Sequence, residues 1–130
     1  MVLSSYFCNK RKRIIIMIKA LFFDIDGTLV SFNTHTIPQS TLNAIAELRK
    51  KGIKLFISTG RPRVAINNLG NLEFDGYITM NGSYCFGEND EVIYKSPIPK
   101  SDVETMLDIL KKERNCPCVI VHEKEMFFCN

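Results

Sequence analysis

The sequence predicts an α/β fold, a parallel sheet wrapped by helices, followed by a smaller α+β unit. Three observations lead there. Between residues 17 and 82, short apolar runs that end in Asp, Gly or Asn alternate with amphipathic stretches. A strand–helix–strand rhythm of this kind makes βαβ units with right-handed crossovers. The 130 residues are 45% hydrophobic and 24% charged, an ordinary globular composition with enough apolar side chain for a core without staples. After Gly82 the rhythm changes to strand–strand–helix–strand–strand.

The elements follow in order. Residues 18–23 form an apolar run that stops at Asp24, the pattern of a strand covered on both faces. A helix is predicted over 40–51, with Ser40 as its cap. Leu42, Ile45, Ala46 and Leu48 form its apolar face, and Gly52 stops it. Residues 53–58 read as a second buried strand, and Pro62 opens a short helix through Leu69. A third strand, 77–80, runs into Asn81-Gly82. Beyond it, strands over 84–86 and 92–94 flank a turn over 87–91. Ser101 and Glu104 have capping-box spacing ahead of a helix whose apolar face is Val103, Met106, Leu107 and Leu110. Two last strands are expected at 119–121 and Met126–Cys129. The expected division is therefore an extension without structure over 1–16, a parallel-sheet part over 17–82, and an α+β unit over 83–130. The last unit reads as cut off, because it ends on an apolar strand with no cover.

Charge narrows the functional classes. The net charge is +3, but residues 1–16 hold Lys10, Arg11, Lys12 and Arg13 and no acid. The remainder has thirteen basic against fourteen acidic side chains, so no general nucleic-acid surface is expected. The basic cluster followed by apolar residues imitates a secretory signal, yet Lys19, Asp24 and Asp26 interrupt it. A basic nucleic-acid arm is a second reading. The favoured one is an extension ahead of a start at Met17. No apolar run reaches the ~20 residues that span a membrane, so no membrane partner is expected. Five cysteines, an odd number, fit reduced thiols and a cytoplasmic location better than a disulfide framework.

Chemistry concentrates where strands end. Asp24 and Asp26 stand two apart where the first strand leaves the sheet, so both can face one crevice. Two carboxylates ~5 Å apart repel by roughly 3 kcal/mol at an effective dielectric of 20, and a divalent cation reverses that sign. Oxygen ligands of this kind favour Mg²⁺. An EF-hand loop does not fit, because Leu29 and His35 occupy the positions that need Gly and Glu. Gly27 permits a sharp turn, and the long stretch from Gly27 to Gln39 suggests a flap. The second strand end carries Ser58-Thr59-Gly60-Arg61-Pro62, a hydroxyl, a glycine and a guanidinium before a helix N-terminus. These are groups that suit a phosphate. A third end supplies Asn81-Gly82-Ser83, which alone reads as an ordinary turn.

Asp24-Ile25-Asp26-Gly27-Thr28-Leu29, Ser58-Thr59-Gly60-Arg61-Pro62 and Asn81-Gly82-Ser83 together resemble the haloacid dehalogenase superfamily, specifically its Cof-type phosphatases, from about Met17 onward. The resemblance implies the N-terminal half of a Rossmann-like core followed by a truncated α+β C2-type cap. It implies a Mg²⁺-dependent phosphatase acting on small phosphorylated metabolites, sugar phosphates among them. Asp24 would be the nucleophile that forms an aspartyl-phosphate, and Asp26 the general acid and then base. Both would help hold the metal, Asp24 by its carboxylate and Asp26 by its main-chain carbonyl. Thr59 and Gly60 would bind phosphate, and Arg61 and Asn81 would contact substrate or phosphate. Such phosphatases also carry a later lysine and an acidic pair after the cap, which nothing in these 130 residues matches. Their loss would cost roughly a thousandfold or more in rate. The alternative expectation is thus a catalytically incomplete fragment, and a basic-arm nucleic-acid binder stands third.

Cys116, Cys118, His122 and Cys129 could be grouped around zinc, but Cys-x-Cys spacing among alternating apolar residues favours packed strand cysteines. His35 reads as a loop histidine.

Overall fold

Residues 17–112 and 116–129 are described by a computed structural model of the chain. The expectations for residues 1–16 lie outside the described residues. The first apolar run becomes β1 (Ala20–Phe23) and the second β2 (Lys54–Ser58), paired in parallel with Phe23 opposite Ile57. β3 (Gly76–Thr79) lies parallel on the other side of β2, so the three predicted strands adjoin in the order β1-β2-β3. Their C-terminal ends therefore open on one edge of the sheet.

Alternation along the strands places Leu55 and Ile57 in the core with Ile25, Leu29, Val30, Ile45, Leu69 and Phe74, while Leu21 and Phe23 pack against that cluster. Helix α1 (Gln39–Lys50) contributes Ile45 and Leu48 to it. The helix begins one residue before the expected Ser40 cap. The Pro38 carbonyl accepts the Thr41 and Leu42 N–H groups, and no side chain caps the end. Its C-terminus closes as expected at Gly52, whose φ of +72° needs no Cβ. Gly52 N–H donates to Arg49 O and Ile53 N–H to Leu48 O, which satisfies carbonyls the helix leaves open. The opposite face of β1 and β2 is less covered: Phe22 is 57% exposed, its ring stacked 4.9 Å from that of Phe56.

The helix expected over 62–69 shrinks to a single 3₁₀ turn, Arg63–Ala65. Two causes are visible. The Ala65 carbonyl, which a continuing helix would need, accepts the Arg61 guanidinium instead, and Ile66 turns to an extended conformation. Ile66, Asn67 and Asn68 are also weak helix formers.

Past β3 the chain reverses through Met80–Gly82, with φ of +51°, +54° and +95° in succession. Left-handed backbone at Met80 costs roughly 1–2 kcal/mol, and main-chain bonds to the neighbouring strand end offset it. β4 (Tyr84–Gly87) then pairs antiparallel with β3, and β5 (Val92–Lys95) with β4, giving one mixed sheet in the order β1-β2-β3-β4-β5. The division expected near Gly82–Ser83 falls at the turn joining two paired strands. Arg63 fastens the hairpin from below, its guanidinium 4.8 Å from the Phe86 ring centre and 2.5 Å from Asp90.

Helix α2 (Lys100–Lys112) starts ahead of the expected capping box. Pro99 O accepts the Asp102 and Val103 N–H groups, and the Ser101 hydroxyl bonds the Asp102 carboxylate instead of capping. β6 (Cys118–Val121) and β7 (Met126–Cys129) form a separate antiparallel pair, tied to β5 by a Lys95–Glu123 ion pair. Among the described residues no helix is long and apolar enough to cross a membrane.

Candidate active site

The site begins where β1 runs out of sheet. The alternation of β1 continues past Phe23, so Ile25 is buried, while Asp24 is exposed and Asp26 half-buried. Buried Leu29 and Val30 pin the turn that follows. Its bonds use the carbonyls of Asp24, Ile25 and Val30: Leu29 N–H donates to the first, Val30 N–H to the second at 2.9 Å, and Gly27 N–H to the third at 2.9 Å. Gly27 has φ +76°, and a Cβ there would lie 2.3 Å from the Phe32 ring. The predicted flap is thus folded back on the turn, with Phe32 against Gly27 and the Ser31 N–H bonded to Thr36 O.

Beside it, β2 ends in buried Thr59, then exposed Gly60 and half-buried Arg61. The Thr59 Oγ1 accepts the Arg61 main-chain N–H at 3.2 Å, which leaves its hydroxyl proton free to be directed elsewhere. At the end of β3, Met80 N–H donates to Arg61 O at 3.1 Å and Asn81 N–H to Thr59 O at 3.3 Å. A Cβ on Gly60 would come within 3.1 Å of the Asn81 side-chain oxygen, so Gly60 and Asn81 are immediate neighbours. All six residues singled out from the sequence, Asp24, Asp26, Thr59, Gly60, Arg61 and Asn81, therefore stand at adjoining strand ends.

Sequence reasoning missed what Arg61 does. Its Nε donates to Asp26 Oδ2 at 2.8 Å and its Nη2 to Asp26 Oδ1 at 2.6 Å, a bidentate ion pair. Nη1 donates to Ala65 O at 3.0 Å and to Asn68 Oδ1 at 3.3 Å. The Arg61 hydrogen bonds hold the Asp26 carboxyl below the usual aspartate range, burial opposes them in part, and the guanidinium charge adds a smaller push in the same downward direction. Asn68, seven residues past Arg61, carries no sequence signal for this contact. The expected helix N-terminus is absent as well, so an anion here would meet a short turn and not a helix dipole.

The oxygens at the β1 tip suit a hard cation. Asp24 presents an exposed carboxylate, and the Asp26 main-chain carbonyl is not among those used by the turn. Mg²⁺ commonly takes one or two protein oxygens and completes its shell with water and substrate phosphate, so this donor set fits it. No cluster of three metal-ligating His, Cys, Asp or Glu side chains occurs among the described residues, around Cys116, Cys118 and His122 included.

Comparison with known proteins gives the wider setting. The family profile described as haloacid dehalogenase-like hydrolase matches residues 21–130. YkrA of Bacillus subtilis (strain 168) is 36% identical over 109 residues, which cover 83% of this chain and 41% of YkrA. The HMP-PP phosphatase of Shigella flexneri serotype 5b is 33% identical over 93 residues, 70% of this chain and 34% of that protein. Among solved structures, the subclass IIB sugar phosphatase BT4131 superimposes with a TM-score of 0.76 at 54% identity, covering 85% of this chain and 44% of its own. BT1666 from Bacteroides thetaiotaomicron gives 0.77 at 33% identity, with 89% and 43% covered. The chain spans less than half the length of each of these relatives.

Proposed function

Because the chain belongs to the haloacid dehalogenase-like hydrolases, with the Rossmann-like core of that family, we propose that it carries the nucleophile half of a phosphatase site for small phosphorylated metabolites, sugar phosphates foremost. The observation that supports this most is the placement of Asp24 and Asp26 at the tip of β1, next to Thr59 and Gly60 at the tip of the parallel β2.

In this reading the exposed Asp24 carboxylate attacks phosphorus in line with the ester oxygen, and the phosphorus–oxygen bond to the leaving alcohol breaks. Asp26 hands a proton to that alcohol. It then takes a proton from the water that hydrolyses the aspartyl-phosphate. The Arg61 ion pair favours the carboxylate form of Asp26, the form needed as base in the second step, and works against the protonated form that the first step uses. Thr59 directs its hydroxyl proton, and Gly60 its N–H, toward phosphoryl oxygens. Asp24 and the Asp26 carbonyl would hold Mg²⁺, which when bound supplies positive charge against the phosphate. The later lysine and acidic pair of this family would come from polypeptide outside these 130 residues, so a longer chain should be faster by roughly a thousandfold.

The test is Mg²⁺-dependent release of phosphate from an aryl phosphate, compared between the wild-type chain and Asp24→Asn. Turnover that disappears on chelation and in Asp24→Asn supports the proposal, whereas turnover unaffected by Asp24→Asn refutes the assigned nucleophile. Equal inertness of both chains, with activity in a version extended past residue 130, would identify this chain as a catalytically incomplete part.

A further inference from the structure

The sequence suggests Arg61 as a phosphate or substrate contact, but its hydrogen bonds point another way. We propose that Arg61 is a positioning residue for Asp26, and that Asn68 and the Ala65 carbonyl in turn position Arg61. The inference rests on the reading of Asp26 as the proton-transfer group.

Guanidinium has five N–H donors in a rigid plane. Four hydrogen bonds already leave it: two to Asp26, one to Ala65 O and one to Asn68 Oδ1. Only one donor remains, so Arg61 cannot grip a phosphate with two parallel bonds without releasing Asp26 or leaving the turn. The bonds to Asp26 use both carboxylate oxygens, which fixes the plane and rotamer of that side chain. The bonds to Ala65 and Asn68 fix the guanidinium from its opposite edge. The shortened helix after β2 acquires a purpose here. A continuing helix would consume the Ala65 carbonyl, while the 3₁₀ turn Arg63–Ala65 leaves it free for Arg61. Main-chain bonds complete the frame, since the Arg61 N–H donates to Thr59 Oγ1 and its carbonyl accepts from Met80. One residue therefore links the ends of all three parallel strands. Lysine could supply the same charge but neither the fork nor the second edge.

Two measurements on the full 130-residue chain decide the matter without requiring turnover. The first is the χ1 distribution of Asp26 from NMR scalar couplings, in wild type, Arg61→Lys and Asn68→Ala. The second is the affinity for inorganic phosphate in the presence of Mg²⁺ in the same three chains. A positioning role gives one Asp26 rotamer in wild type, averaged rotamers in Arg61→Lys, and partial averaging in Asn68→Ala. Phosphate affinity then stays within about twofold. An unchanged Asp26 rotamer in Arg61→Lys overturns the proposal, and so does a tenfold or greater loss of phosphate affinity, the mark of a phosphate clamp. If no chain binds phosphate, this part of the site does not hold the anion by itself, and the rotamer measurement alone decides the role of Arg61.

Discussion

Replacing Asp75 by alanine should destabilise the fold by about 2–3 kcal/mol at neutral pH, far more than a surface aspartate normally would. Asp75 sits just before β3 and completes its pairing to β2 with a side chain. Its N–H donates to Leu55 O at 2.8 Å, while its Oδ2 accepts the Leu55 N–H at 2.9 Å. Leu55 is fully buried and the Asp75 side chain only 11% exposed, so water cannot easily replace the lost acceptor. An orphaned buried N–H costs about 1–3 kcal/mol, and a hydrogen bond to a charged group contributes about 1.5–3 kcal/mol. The two overlap, hence the estimate. Lys54 also reaches Asp75, at 2.5 Å, but its side chain is largely exposed, so Lys54→Met should barely register. Asp75→Asn keeps an acceptor and should cost about 1 kcal/mol. The pH dependence has a definite sign. The Leu55 N–H first, and then Lys54, hold the Asp75 carboxyl below its ordinary value. Its contribution is therefore complete above pH ~4 and fades as pH falls through the depressed folded value. Urea titrations of the wild type and the three variants, at pH 7 and at successively lower pH, provide the assay. A cost below about 0.5 kcal/mol for Asp75→Ala, a Lys54→Met cost equal to it, or a difference that grows on acidification would refute the reasoning.

Three further outcomes are expected. Ile57→Ala, at a fully buried position beneath the site, should cost about 2–4 kcal/mol in the same titration. Gly27→Ala should cost about 1–2 kcal/mol from its positive φ, plus the displacement of Phe32. The double variant with Phe32→Ala should therefore recover part of the loss but not all of it, as a double-mutant cycle will read. Phe22→Lys should reduce self-association in sedimentation velocity at high concentration, because Phe22 is exposed on the less covered sheet face and β1 is an edge strand of the described sheet.

The three parallel strands, both helices and the two hairpins were legible because period and punctuation agreed in each. The six site residues were legible for a related reason. A buried strand that ends in polar residues exposes them at a predictable edge, and parallel pairing brings those edges together. What escaped were features decided by contacts distant in sequence. The 62–69 segment has a helix-opening Pro62 and a closing Gly70, yet Arg61 draws off its Ala65 carbonyl. The Ser40 and Ser101 caps look sound locally, but Pro38 and Pro99 supply the accepting carbonyls two residues earlier in each case. The Arg61–Asp26 pair spans 35 positions, and no periodicity reports a contact of that range.

The crosswise bonds from Met80 to Arg61 and from Asn81 to Thr59 belong to the backbone, so they draw on no side-chain chemistry, and only the positive φ at Met80 and Asn81 restricts which residues fit there. The platform beneath the carboxylates can thus stay put while the groups standing on it are exchanged. A scaffold anchored in this manner accepts different side chains at the strand tips without the backbone beneath them having to be rebuilt each time.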